Sequence, residues 1–343
     1  MGRSVLIDVL KGCAIILVVL GHSIQYGYGS DYFEKEVFYD NFIFRAIYTF
    51  HMPLFMFISG YLFVHSSQKK FIYVIYNKIK YIGIPYVVYY SFLYLLWWHS
   101  YQLDVLYFSD YLRKFIGQVW LWFLSSLMLN CFLISFSYHL LGKKMSIWAS
   151  MLLVCIFFLV PNSIIPDTHK YMFTFFSLGY YCNKYVRQFA KKLIELKICF
   201  YLFLIYLLSL FFYNKDYMIY EGGYCVMNNN HLVVQQLTID MVRYLVAIFA
   251  TCFFVCFVNI FVMKIRLLCN FLSILGRYTL AIYCMQSVFF VFISINFDKI
   301  FFLGKNIPYV WPFVLCCVVL TFCGILIICF KRNKFTKLCF LGK

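Results

Sequence analysis

The chain has 343 residues, of which 64% are hydrophobic and 13% charged. A soluble domain carries about 25% charged residues to face water, so this composition excludes a water-surrounded globule and makes lipid the principal solvent. The net charge of +17 would suit nucleic acid in a soluble protein, but its distribution along the chain argues for membrane orientation and no nucleic-acid partner.

A membrane-crossing helix needs roughly 20 mainly apolar residues. In chain order, apolar runs between polar breaks predict spans near 4–25, 42–64, 81–98, 118–140, 145–161, 169–183, 198–213, 241–262, 272–295 and 308–330. The fold expected is therefore an all-α integral membrane bundle of about ten transmembrane helices, one polytopic domain over residues 1–343 with no appended soluble domain. Leu10-Lys11-Gly12-Cys13 superficially resembles a lipoprotein cleavage box, but the apolar run follows Cys13. That order reverses a signal peptide, and the first segment is expected to stay as a spanning helix. Pro161 and Pro166 separate the fifth and sixth segments.

Loop charges set the orientation. With the N-terminus inside, the inside segments hold 19 Lys and Arg against one acid, Glu195. They include Lys69, Lys70, Lys78 and Lys80, the run from Lys184 to Lys197, and Lys331, Arg332, Lys334, Lys337 and Lys343. The outside segments hold seven basic residues and eleven of the 13 acids, with Asp31, Glu34, Glu36 and Asp40 together. This satisfies the positive-inside rule, placing both termini in the cytoplasm of a multi-pass protein of the cell (inner) membrane. The longest loops, near 26–41 and 214–240, fall outside. The 15 cysteines lie mostly in apolar runs and show no metal-site spacing, so they read as small apolar side chains and no metal is expected.

A charge inside a spanning helix costs about 2.5–3.5 kcal/mol and is a functional candidate by default. The first helix carries Asp8, Lys11 and His22. At 100° per residue, Lys11, Ile15, Val18, His22 and Gln25 share one stripe, with Asp8 a turn below Lys11. Lys11 and His22 are about 16 Å apart along the axis, the reach of a cofactor with a long flexible arm such as pantetheine. The bland alternatives are an interfacial Asp8–Lys11 pair with Lys11 snorkelling and a hydrogen-bonded structural His22. In the second helix His51 falls at a depth similar to His22, and Pro53 is expected in the helix's first turn, where its missing N–H costs nothing.

Ile7-Asp8-Val9-Leu10-Lys11-Gly12-Cys13-Ala14 through Gly21-His22 resembles the opening of the membrane acyltransferase-3 family, the integral-membrane O-acyltransferases, whose basic residue, ten residues, His spacing is met by Lys11 and His22. Phe50 to Gly60 is similar to that family's second-helix motif. Weaker echoes follow at Ile84-Pro85-Tyr86, Trp122-Phe123-Leu124, Gly179-Tyr180 and Gly276-Arg277-Tyr278-Thr279-Leu280-Ala281-Ile282-Tyr283. The resemblance runs through essentially the whole chain. It implies transfer of an acyl group, usually acetyl, from cytosolic acyl-CoA (acetyl-CoA) to a hydroxyl of an extracytoplasmic surface carbohydrate or lipid-linked glycan. It gives His22 the catalytic role and Lys11 the donor-associated one. Where many members carry His after the Ile-Tyr of the ninth helix, this chain has Cys284-Met285-Gln286, and Gln286 cannot titrate.

Acyl transfer to a hydroxyl needs a base and a group to stabilise the oxyanion. His22, of reference pKa about 6.5, is the leading base. His51 could orient it, stabilise the oxyanion, or relay a covalent acyl group. Asp8 could hold Lys11, and Arg277 could take a donor phosphate. Arg45 could meet acceptor or oxyanion, or pair with Asp40. Ser59 and Gln286 are further substrate or oxyanion candidates. The competing readings are a polytopic transporter, and an export accessory protein that handles polysaccharide without acylating it.

Overall fold

The computed structural model describes residues 4–29, 33, 35–100, 108–116, 120–183, 195–224, 233–296, 307 and 310–343. Among them every regular element is helical. In chain order these are α1 (Val5–Tyr26), α2 (Phe42–Ser67), α3 (Phe71–Ser100), α4 (Phe108–Ile116), α5 (Trp122–Gly142) and α6 (Lys144–Phe157). There follow α7 (Asp167–Tyr181), α8 (Leu196–Phe212), α9 (Val233–Ile260), α10 (Arg266–Arg277), α11 (Thr279–Asn296), α12 (Trp311–Phe330) and α13 (Lys334–Leu341). Among the described residues six helices are long and apolar enough to cross a membrane, seven if the bent pair α10 and α11 counts as one span. The protein is an all-α, multi-pass membrane protein. Large side chains such as Phe212, at 79% exposure, and Trp148, at 67%, stand on outer faces, as lipid contact allows.

All ten predicted segments contain a helix, but three are short. Residues 145–161, 169–183 and 198–213 correspond to α6, α7 and α8, and the latter two are only 15 and 17 residues long. Gly142, at φ 74, breaks the helix between α5 and α6. Pro166 precedes α7, so the Pro161–Pro166 stretch does separate two helices. Several expectations are corrected. Pro53 lies inside α2, eleven residues from its start, and not in its first turn. The Thr49 carbonyl therefore lacks its ordinary i+4 donor, a loss that neighbouring groups can offset in membrane helices. The ninth segment is not one rod: α10 and α11 meet at 74°. The loop expected to end at 240 gives way to α9 at Val233, so Asp240 sits within a helix. Of the loop residues used for orientation, Arg3, Asp31, Glu34, Lys184, Arg187, Lys191, Lys192, Lys299 and Lys305 lie outside the described residues, as do Asn228, Asn229 and Asn230.

The chain forms two compact units. The first comprises Met1–Ala14, Arg45–Ile75 and Leu129–Arg277. Without a hydrophobic drive between helices in lipid, small residues let backbones approach, and glycines do so here. A Cβ on Gly60 of α2 would lie 2.0 Å from the Phe176 carbonyl of α7, and one on Gly179 of α7 would lie 2.0 Å from the Phe57 carbonyl of α2. The crossing is reciprocal. A second one joins α1 to α10, where a Cβ on Gly12 would meet the Leu272 carbonyl at 2.0 Å and one on Gly276 the Asp8 carbonyl at 1.8 Å. Farther along α2, the Tyr206 hydroxyl of α8 donates to the Ala46 carbonyl at 2.8 Å.

The second unit comprises Ile15–Phe44, Tyr76–Met128 and Tyr278–Lys343. In α3, Ile79–Gly83 forms a π-helical turn in which the Ile84 N–H reaches the Ile79 carbonyl. Pro85 is the cause: without an N–H it cannot serve the carbonyl of Tyr81, four residues earlier, and the helix widens around the lost bond. The indole N–H of Trp311 in α12 donates to the Gly27 carbonyl at 2.7 Å, just past the end of α1. Helix α13 folds back onto α3, where the Tyr89 hydroxyl donates to the Phe340 carbonyl at 3.2 Å.

Candidate functional site

Helix α1 carries the predicted stripe. Ile15 and Val18 are each 1% exposed, so the stripe does face protein, and His22 on the same face is half-buried. His22 belongs to the second unit with Gln286 of α11, and the two meet: His22 Nδ1 lies 2.9 Å from Gln286 Oε1. The proton's position follows from the next bonds. Gln286 Nε2 lies 3.2 Å from the Tyr283 carbonyl and 3.2 Å from Ser287 Oγ. A carbonyl can only accept, so the amide nitrogen must face Tyr283 and the amide oxygen must face the imidazole. His22 therefore donates through Nδ1–H and keeps the lone pair of Nε2 for another partner.

Phe290 and Tyr26 wall the ring at centroid distances of 6.2 and 6.3 Å, and Tyr26 stacks on Phe290 at 5.5 Å. Gln286 is fully buried. A neutral amide in this place orients an imidazole without adding a charge to an apolar surrounding, where an unpaired charge would be costly. Sequence reasoning placed Gln286 at substrate or oxyanion; the structure places it against His22. Its position one turn after Ile282-Tyr283 was the available signal.

The first unit holds the other candidates. The α1–α10 crossing brings together the segments bearing Asp8, Lys11 and Arg277: Asp8 is 6% exposed, and its carbonyl faces Gly276, next in sequence to Arg277. Arg277 itself is exposed and is the last residue of α10, immediately before the bend.

On α2, His51 is buried, and its Nδ1 lies 2.7 Å from the Ile47 carbonyl. Here too the acceptor is a carbonyl, so Nδ1 carries the proton and Nε2 the lone pair. Tyr48 flanks the ring at 4.7 Å. Arg45 Nη1 donates to the Tyr213 carbonyl at 3.1 Å, which ties the start of α2 to the end of α8. Ser59 is half-buried on α2, one residue before the crossing glycine Gly60.

Sequence reasoning missed a buried ionic cluster in the first unit. Arg243 and Asp240, 2% and 1% exposed, pair at 2.6 Å within α9. Arg243 also donates to the carbonyls of Tyr217 at 2.7 Å and Gly223 at 2.8 Å. Lys170 in α7 has a fully buried side chain that pairs with Asp167 at 2.9 Å and donates to Asn162 at 2.7 Å and the Val160 carbonyl at 2.9 Å. The i,i+3 spacing of both ion pairs was the legible signal. Around Asp167, burial pushes the carboxyl up from its ordinary range, while Lys170 and Asn162 oppose the shift. Among the described residues no group of three or more His, Cys, Asp or Glu is placed to hold a metal.

Residues 5–329 match the model of a family described as acyltransferase domain. Nodulation protein NolL of Sinorhizobium fredii is 30% identical over 210 residues, covering 57% of this chain and 53% of that protein. Nodulation protein NolL of Mesorhizobium japonicum is 43% identical over 68 residues, covering 20% of this chain and 17% of that protein. The chain thus spans about half the length of the first relative and less of the second. No solved structure matches.

Proposed function

The chain belongs to the acyltransferase domain family, and from that premise we propose that it is a membrane O-acyltransferase. In this reading it moves an acyl group, acetyl in the first instance, from cytosolic acyl-CoA to a hydroxyl of an extracytoplasmic carbohydrate or lipid-linked glycan. The carrying observation is the His22–Gln286 pair, which leaves a bare imidazole Nε2 on a helix that also bears Lys11. The proposed topology has ten crossings in the inner membrane with both termini in the cytoplasm; the loop-charge bias supports it.

In the proposed reaction His22 Nε2 takes the proton of the acceptor hydroxyl as its oxygen attacks the thioester carbonyl. A carbon–oxygen bond forms, the carbon–sulfur bond breaks, and the departing thiolate takes the proton back from the imidazolium. Gln286 holds the ring through Nδ1–H throughout. Lys11 and Arg277 are assigned to the anionic parts of the donor, with Asp8 holding Lys11. Arg45 and Ser59 are assigned to the acceptor or the oxyanion. His51 serves either as an oxyanion donor or as a covalent relay.

Two measurements test the reading. Purified protein should consume radiolabelled acetyl-CoA, and the mass spectrum of the cell's surface glycan should lose acetyl increments of 42 Da, the mass of an added C2H2O unit (~42 from atomic masses,), when the gene is deleted. No thioester consumption with any acceptor by folded protein, together with an unchanged glycan, would favour a transporter or export accessory instead.

A further inference from the structure

Within the first unit, α8 and α9 leave a crevice of about 540 Å³ between them. Its origin is a change of side-chain size. Where the two helices close, Cys199, Cys256 and Ile260 form a buried cluster against which Phe253 packs. Cysteine is a small apolar side chain, so the seam there is thin. Around it stand Phe200 and Phe203 of α8 and Phe253, Phe257 and Phe261, four residues apart along one face of α9 and its end. Their rings follow one another, Phe203 to Phe253 at 5.3 Å, Phe253 to Phe257 at 6.0 Å and Phe257 to Phe261 at 5.3 Å. Phe200 is 57% exposed and Phe261 45%, so the crevice is open to the surroundings of the helices.

From Phe261 to Phe253 it runs about 12 Å along the axis, most of one leaflet of the hydrocarbon core, itself about 15 Å. An acyl chain matches that shape and chemistry. The walls are apolar, yet Lys197 lines them too. It does so with its methylene stem, and its ammonium snorkels to the mouth, since Lys197 is exposed in the first turn of α8. Lys264 and Arg266 are exposed directly beyond the end of α9, and only Glu195, before α8, opposes them among the described residues flanking the two helix ends. In the proposed topology this end meets the cytoplasmic leaflet, where anionic lipids gather and basic pockets between helices bind their headgroups.

We propose that the α8–α9 crevice is a lipid site: it holds an acyl chain of an anionic phospholipid of the cytoplasmic leaflet, with Lys197 at the phosphate. Lys264 and Arg266 add attraction without having to touch the same headgroup. The bound chain fills the space between α8 and α9 that their own side chains leave open.

The test weighs the lipid retained by the purified full chain in native mass spectrometry, with palmitoyl-oleoyl phosphatidylglycerol and palmitoyl-oleoyl phosphatidylcholine as probes at equal mole fraction. The wild type should retain phosphatidylglycerol at least about fivefold over phosphatidylcholine, the worth of one Lys near an anionic headgroup. Lys197→Gln should lower that preference about fivefold and Lys197→Arg should keep it. Lys337→Gln, which removes an exposed cation of α13, should leave it unchanged. Phe257→Trp, which narrows the crevice, should lower retention of both lipids. Equal retention of the two lipids by the wild type would make the crevice part of an unselective lipid annulus and overturn the proposal. So would a preference that survives Lys197→Gln, or one that Lys337→Gln lowers equally, which would assign it to the inside charge as a whole. Unchanged retention in Phe257→Trp would remove the chain from the crevice, and a lipid-free dimer would make this face an interface between copies. None of these readouts involves a thioester, so the lipid site and the acyl-transfer reading stand or fall separately.

Discussion

Two buried polar features, one in each unit, are held in opposite ways. In the first, Arg243, Asp240, Lys170 and Asp167 are full charges taken out of water, and the two cations are tied to an acid and to backbone carbonyls. In the second, His22 is held by a neutral amide, through one nitrogen, beside the rings of Tyr26 and Phe290. A buried charge whose hydrogen bonds go to its own fold is a fastening: Arg243 anchors the 217–223 loop to α9. An imidazole oriented through one nitrogen keeps the other for chemistry. The comparison separates residues that hold the structure from those proposed to use it.

Substitutions should split along the same line. The largest effect is expected from His22→Ala, which should lower acyl transfer by about 10²–10⁴-fold, the usual worth of a positioned base, while melting temperature stays near wild type. Equal rates would remove the base assignment. Arg243→Met should do the reverse: stranding Asp240 in the interior costs about 3–5 kcal/mol, read as a large fall in thermal or denaturant stability. A stability unchanged from wild type would show that the cluster is not a fastening.

A smaller effect is expected from Gln286→Leu. Losing one hydrogen bond of about 0.5–1.5 kcal/mol should lower kcat by up to roughly tenfold with little change in KM. A variant with a raised KM and intact kcat would place Gln286 at substrate, as its residue type alone suggested. The smallest is Lys11→Ala, expected to raise KM for the thioester severalfold. A purely structural Lys11 would instead lower stability and leave KM alone.

The sequence made the helices legible because lipid imposes length and apolarity together: ten apolar runs each contain a helix. Less legible were the breaks. The bend after Arg277 falls within a single expected span, 272–295, and Pro53 looks the same to a reader whether it starts a helix or interrupts one. The motif glycines were visible as resemblance but not as cause. Gly12, Gly60, Gly179 and Gly276 turn out to be the points where helices touch backbone to backbone, so part of the family pattern records packing. His22 and Lys11 were legible from charge in an apolar helix. The His22–Gln286 pairing, 264 residues apart in sequence, was not, since only the fold brings such partners together.

The central claim is that His22 presents a bare Nε2 because Gln286 Oε1 accepts the hydrogen bond of Nδ1–H and so holds the proton on that nitrogen. Nitrogen-15 NMR of histidine-labelled protein measures this directly, with the His22 signals assigned by their disappearance in His22→Asn. The account predicts a neutral ring protonated at Nδ1 in the wild type, and loss of that fixed tautomer in Gln286→Leu. A ring protonated at Nε2 in the wild type would contradict it.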